Sequence, residues 1–154
     1  MPPFNSRCLL LVEDTEDDIF FMRRAIAAAD IGLDVQVALD GQAAVDYLDG
    51  RGVYQDRTAY PMPVMVFLDL KLPRASGLEV LRWARAQLAL RALPVLVLTS
   101  SREDSDIQEA YSLGANSFLV KPPNALQLNE LVKGIQTYWL INPHLALPAL
   151  SPSV

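Results

Sequence analysis

Residues 64–73, VMVFLDLKLP, constrain the fold more than any other stretch of this chain. The apolar run 64–68 ends abruptly in Asp69. A short unbroken run of bulky and β-branched residues reads as a strand buried on both faces, which requires helices on both sides of a sheet. A carboxylate at its end falls at the carboxyl edge of the sheet, where open α/β folds bind ligands. Pro73 stops regular pairing, and Ser76 with Gly77 turns the chain into the next helix. Taken alone, Asp69 is equally well a loop-capping turn residue. The other strand ends change that balance.

Strands are expected at residues 8–12, 34–39, 64–68, 94–98 and 117–120. The second alternates, with Val35, Val37 and Leu39 on one side, and reads as an edge or half-buried strand. Between them fall helical periods. Ile19, Met22, Ile26 and Ala29 share one face of a helix over 16–29, which Thr15 can cap. A short helix over 42–48 turns Ala44, Val45 and Leu48 inward. A third over 77–90 carries Leu78, Leu81 and Leu88 on one stripe with Trp83 nearby. A fourth over 102–113 places Ile107, Ala110 and Tyr111 at helical spacing and ends at Gly114. Asn124 can cap the last, 125–139, with Leu128, Leu131, Val132, Ile135, Tyr138 and Trp139 on its apolar face. Residues 50–63 have no clean period and read as a loop longer than most within a compact domain. Strands alternating with helices predict an α/β fold: a doubly wound five-stranded parallel sheet, order 2-1-3-4-5, with helices on both faces.

The totals agree. A chain of 154 residues suits one domain. A net charge of -5 without clustered basic residues argues against a nucleic-acid surface. The single cysteine, Cys8, excludes an internal disulfide and reads as a small core hydrophobe in a reducing compartment. No stretch approaches the roughly 18 apolar residues of a membrane span, and the first residues lack a signal-peptide pattern. A cytoplasmic protein with no membrane partner is expected.

Polar groups end four of the strands: Glu13 and Asp14, Asp69, Thr99, and Lys121. The predicted topology turns them into one crevice. Carboxylates crowded there repel one another unless a cation relieves them. Lys121 is one candidate and a divalent metal the other; an oxygen-only, partly hydrated site suits Mg²⁺. The same set suits phosphoryl transfer to a carboxylate. Asp69 would be the nucleophile, already ionised at neutral pH. Lys121 and the Thr99 hydroxyl would meet phosphoryl oxygens. Each residue also has a plain structural use: Glu13 and Asp14 as helix caps, Thr99 as a turn hydroxyl, Lys121 as a solvated amine. Their order on successive strand ends favours the joint reading.

LLLVEDTEDD, VFLDLKLPRASGLEVL, VLVLTSS and NSFLVKP resemble the receiver domains of two-component response regulators. The resemblance covers about residues 7–139. It implies a flavodoxin-like fold, Mg²⁺ binding and phosphorylation of Asp69 by a sensor histidine kinase. It implies metal ligation by the side chains of Asp14 and Asp69 and the backbone carbonyl of Lys71, with Glu13 acting through water. Thr99 and Phe118 match the family's switch pair. The bond between Lys121 and Pro122 matches one that is usually cis in the family.

Two departures are informative. The loop 50–63 is longer than in minimal receivers, and the tail YWLINPHLALP is apolar and proline-bearing. Together they resemble single-domain regulators that partner bacterial phytochrome kinases and whose C-terminal arms pack on a second subunit. The expected division is a receiver domain, 1–139, and an arm, 140–154. Tyr138, Trp139, Leu140, Ile141, Leu145 and Leu147 would serve a homodimer, since such an apolar set needs a covering surface. No output domain is seen after residue 139, so DNA binding is not expected. His144, the sole histidine, follows Pro143 in an extended stretch and is not read as a phosphoryl donor. The competing readings are a Mg²⁺-dependent phosphatase with an aspartyl-phosphate intermediate and a dimeric scaffold that takes no phosphate. Against the first, Lys71 stands where such enzymes usually carry a general acid.

Overall fold

The computed structural model describes residues 7–141, with side-chain surroundings through residue 138. Five parallel strands form one sheet in the order β2-β1-β3-β4-β5. They are β1 (Cys8–Val12), β2 (Asp34–Ala38), β3 (Met65–Leu68), β4 (Val95–Thr99) and β5 (Ser117–Val120). The helices are α1 (Glu16–Ala29), α2 (Gly41–Asp49), α3 (Gly77–Ala86), α4 (Asp104–Ser112) and α5 (Ala125–Ile141). The expected fold class and strand order are therefore those of the protein.

The period of two along each central strand explains the two cores. Leu10, Val12, Val66, Leu68, Val95 and Val97 face a cluster completed by Ala44, Tyr47, Val80, Leu81 and Ala110 from α2, α3 and α4. Leu9, Leu11, Met65, Phe67, Leu96 and Leu98 face the other way, onto Met22, Ala25 and Ile26 of α1 and Leu128, Val132 and Ile135 of α5. All of β1, β3 and β4 is buried, whereas β2 and β5 are edge strands and mostly half-buried. Burying each Leu, Val or Phe contributes roughly 1.5–3 kcal/mol, so these runs hold the strands in register.

Local signals set most helix ends. Asp40 accepts the amide of Ala43 at 2.7 Å and Asn124 that of Gln127 at 2.9 Å. Ser76 and Glu79 form a reciprocal capping box at the start of α3. Thr15 occupies the cap position of α1 but its side chain accepts no capping bond.

Several readings are corrected. Leu88 lies beyond α3 in a 3-10 turn, Leu88–Leu90, and is 79% exposed, because the α-helix stops at Ala86 and the stripe loses its period. Leu39 falls outside β2 and is exposed. In α2 the inward aromatic is Tyr47, while Val45 is only half-buried. Tyr111 is half-exposed rather than core. The segment 50–63 contains a 3-10 turn, Gly52–Gln55. Tyr54 and Tyr60 from this segment pack with Tyr47, their ring centroids 5.0 to 6.0 Å apart. Arg57 ties the segment down by donating to the carbonyls of Tyr47, Leu48 and Tyr60. Among the described residues no peptide bond is cis. The Lys121–Pro122 bond is thus trans, and the lysine reaches the carboxylates with it so; X-Pro bonds favour trans when nothing else intervenes.

α3 must start hard against the end of β3. A Cβ on Gly77 would lie 2.1 Å from the carbonyl oxygen of Asp69 and 2.7 Å from Cα of Leu70. Both are backbone atoms and cannot yield cheaply. Gly77→Ala is therefore expected to cost about 2 kcal/mol or more of stability in urea titrations. Gly134→Ala, on α5 with nothing within 4 Å of the new methyl, should instead gain up to about 1 kcal/mol.

Candidate functional site

The sheet order makes β1 and β3 neighbours, with Val12 paired to Leu68. The residues just beyond them, Glu13 and Asp69, thereby meet at one rim. Asp69 is tied in by its amide, which donates to the Val12 carbonyl at 3.1 Å, and Glu13 by its amide to Ala38 at 3.0 Å. Lys121 follows β5, and its amide donates to the Thr99 carbonyl at 2.8 Å. Its long side chain then reaches back across the rim.

One ammonium gathers three acids. Nζ of Lys121 donates to Oδ2 of Asp69 at 2.8 Å, to Oδ2 of Asp18 at 3.1 Å, and to Oε2 of Glu13 in a short contact. Glu13 and Asp69 are buried, 2% and 8% exposed. The remaining oxygens are held by amides. Oε1 of Glu13 accepts from Asp14 and Thr15, and Oδ1 of Asp69 accepts from Lys71 at 3.2 Å.

Burial pushes the Glu13 carboxyl up to about 7, against the pull of Lys121 and with the repulsion of Asp69. Burial also opposes ionisation of Asp69, but its bond to Lys121 wins and holds it below the usual carboxylate range. Burial disfavours the charge on Lys121, yet Asp69 and Glu13 outweigh it and raise its pKa. Asp69 thus stays anionic and Lys121 cationic at neutral pH, while Glu13 is the group that can hold a proton.

Of the residues singled out from sequence, Glu13, Asp69 and Lys121 are brought together. Thr99 ends β4, fully buried, with its hydroxyl oxygen 3.4 Å from the Ser101 amide. Asp14 is exposed and stands outside the gathered carboxylates. Phe118 is half-buried against the α2–α3–α4 core, and its amide donates to the Tyr111 hydroxyl at 3.0 Å. Tyr138 is exposed at the end of α5. The side chains of Trp139, Leu140 and Ile141, and residues 142–154 with Leu145 and Leu147, lie outside the described part of the chain.

Sequence reasoning missed Asp18. From sequence it reads as an acid that favours the N-terminus of α1 by its charge. The available signal was its place near the start of a helix that directly follows the Glu13 strand end. Ser101 was also missed; its hydroxyl donates to Asp106 at 2.6 Å and ties the β4–α4 loop.

Glu13, Asp18 and Asp69 each offer an oxygen, all within 4.8 Å of one another. An all-oxygen carboxylate set with no sulfur or imidazole fits a hard divalent cation rather than zinc.

Removing the ammonium isolates two buried carboxylates. Lys121→Ala should destabilise the fold by about 3 kcal/mol at pH 8 and by less at pH 5. The sign follows from Glu13. Its folded pKa is raised from the ordinary 4.5 to about 7 although Lys121 pulls it down. Without the lysine the carboxyl therefore holds its proton to still higher pH, and above 4.5 the folded state keeps a proton the unfolded state has lost. Stability falls as pH rises through that window. Urea midpoints of the variant and of wild type at the two pH values measure this.

Comparison with known proteins agrees with this geometry. The sequence profile of the response regulator receiver domain matches residues 9–133. Response regulator Rcp1 of Synechocystis sp. (strain ATCC 27184 / PCC 6803 / Kazusa) is 34% identical over 134 residues, covering 87% of this chain and 89% of its own. Its solved Mn²⁺-bound form superposes with a TM-score of 0.80 over 88% of this chain and 96% of that one, at 33% identity. The phosphorylated cyanobacterial phytochrome response regulator RcpA gives 0.81 at 35% identity, covering 88% of this chain and 94% of its own. RPA3017, from red light signaling in R. palustris, gives 0.82 at 35% identity with the same coverages. With a matching profile over most of its length and the acidic rim and lysine in position, this chain belongs to the response regulator receiver domain family.

Proposed function

We propose that the protein is a phospho-accepting signalling module in which Asp69 takes a phosphoryl group from the phosphohistidine of a sensor histidine kinase. The observation that carries this is the Lys121 ammonium bonded to Asp69 at 2.8 Å, with Glu13 and Asp18 on its other sides. An oxygen of Asp69, ionised and needing no base, forms a bond to phosphorus as the phosphorus–nitrogen bond to imidazole breaks. The departing imidazole takes up a proton from solvent. Lys121 pairs with a phosphoryl oxygen, and the Thr99 hydroxyl donates to another. Thr99 and Phe118 form the switch: Thr99 moves toward the phosphoryl group and Phe118 turns inward behind it.

The metal would be Mg²⁺, held by Asp69 with Asp14, the Lys71 carbonyl and Glu13 through water; bound there it would screen phosphoryl charge. Asp14 must turn inward from its exposed position to serve. The Mn²⁺-bound form of Rcp1 supports a divalent ion of this kind. The kinase is of the phytochrome type, a reading supported by the likeness to RcpA and RPA3017. The protein is no turnover enzyme, since Lys71 stands where an aspartyl phosphatase needs an acid. Among the described residues no helix is long and apolar enough to cross a membrane, which accords with a cytoplasmic place. The receiver domain spans 1–139, and 140–154 is an arm that helps form a homodimer. Its support is Tyr138, half-exposed near the end of α5, which lines a mostly apolar groove with Leu96, Leu119, Leu131 and Ile135, beside Ser117 and Glu130.

Incubation with Mg²⁺ and a small acyl-phosphate donor should add one phosphoryl group to Asp69, read by mass spectrometry. Asp69→Asn should take none; label persisting in that variant removes the reading. Sedimentation at micromolar concentration should give a dimer that deletion of 140–154 weakens, and a monomer in both cases refutes the arm.

A further inference from the structure

We propose that Asp18 is a positioning residue that holds Lys121 in the resting state and competes for it with the phosphoryl group when Asp69 is phosphorylated. This rests on the phosphoacceptor reading above and deepens it.

An ammonium has three N–H donors and no acceptor. In the resting site all three are taken, by Glu13, Asp18 and Asp69. Phosphorylation at Oδ2 of Asp69 itself frees the proton that Lys121 gives that oxygen, and one phosphoryl oxygen can take it. A second phosphoryl oxygen can gain Lys121 only if Glu13 or Asp18 gives up its bond. The three partners are unequal. The Glu13 side chain is 3% exposed and its other oxygen is pinned by two amides. Asp69 carries the phosphoryl group itself, and its other oxygen is held by the Lys71 amide. The Asp18 side chain is 45% exposed and its carboxylate makes no other hydrogen bond with a described residue. It stands on the first turn of α1, beside Lys121 in an open cavity of about 400 Å³, so it can swing into solvent at little cost. Asp18 is therefore the bond that yields. Its carboxylate competes with the phosphoryl group for one proton of Lys121 and so biases the site toward the unmodified state.

A partly exposed ion pair is weak, so the bias should be small but measurable. The probe is beryllium fluoride, a tetrahedral phosphoryl mimic, titrated calorimetrically into the full chain at saturating Mg²⁺. Asp18→Asn should bind it roughly threefold more tightly than wild type when each protein is saturated with Mg²⁺. Asp17→Asn removes the same charge from the same helical turn at an exposed position and should match wild type. In ¹⁵N spectra the Lys121 ammonium should shift on adding the mimic to wild type, and Asp18→Asn alone should move it part of the way. Asp18→Ser provides a second removal of the anion should the Asn variant fold poorly.

Mimic affinity that is unchanged or weaker in both Asp18 variants overturns the inference. So does an equal gain in Asp17→Asn, which would reduce the effect to net charge. Loss of Mg²⁺ affinity by about tenfold or more would make Asp18 part of the metal site instead. If wild type takes up neither the mimic nor a phosphoryl group, the phosphoacceptor reading itself falls. If wild type takes up both and Asp18→Asn is no tighter, only the role of Asp18 falls.

Discussion

Three carboxylates share one ammonium, and the organisation of the rim follows from that shortage of positive charge. Lys121 brings a single charge to Glu13, Asp18 and Asp69. Two of these acids are buried, where an uncompensated anion is costly. The compromise is uneven. Asp69, which like Glu13 bonds the lysine, stays ionised. Glu13, the most buried, is pushed up to about 7 by desolvation. The site therefore rests with too little positive charge, which is a physical reason for a divalent cation to be welcome. It also keeps Asp69, the acid suited to act as nucleophile, in its reactive form.

The scaffold holds this arrangement by making the strands rigid and leaving their ends polar. β1, β3 and β4 are fully buried, so their carboxyl ends are fixed points. The loops leaving β3 and β4 are held by specific bonds: the Lys71 amide on Asp69, the capping box at α3, the Ser101 hydroxyl on Asp106. Thr99 and Ser101 lie where β4 leads into α4, and Tyr111 of α4 binds the amide of Phe118 on β5. Phe118 thus lies on the half-buried edge strand β5, which pairs with β4 along its backbone, while α4 and its loop are tied to these strands by side-chain hydrogen bonds. Such side-chain bonds each contribute about 1 kcal/mol, so α4 and its loop are easier to rearrange than the paired strands.

Much of this was legible in the chain. Apolar runs ending in Glu13, Asp69, Thr99 and Lys121 could be read directly, because a doubly covered strand leaves a continuous hydrophobic signal. The helix cap at Asn124 has a local chemical signature and is legible for that reason, although Thr15 accepts no capping bond. Asp18 was not legible, since an acid in a first helical turn has an ordinary electrostatic use. Nor was the packing of 50–63, where Tyr54 and Tyr60 pack on Tyr47 of α2 as well as on each other, and Arg57 donates to carbonyls of α2. Leu88 failed for the opposite reason: it kept helical spacing in sequence, but the helix had already ended at Ala86.

The sequence by itself determined the five strands, their burial and the identity of the groups at their ends. Those properties depend on residue chemistry and on periods of a few residues, so they survive without a three-dimensional arrangement. Only the tertiary structure decided which acids share Lys121. It brought Asp18 in and left Asp14 exposed. It also set the Lys121–Pro122 bond trans. Contacts between residues more than a hundred positions apart depend on the relative placement of whole elements, which packing of the two cores establishes and no local pattern encodes.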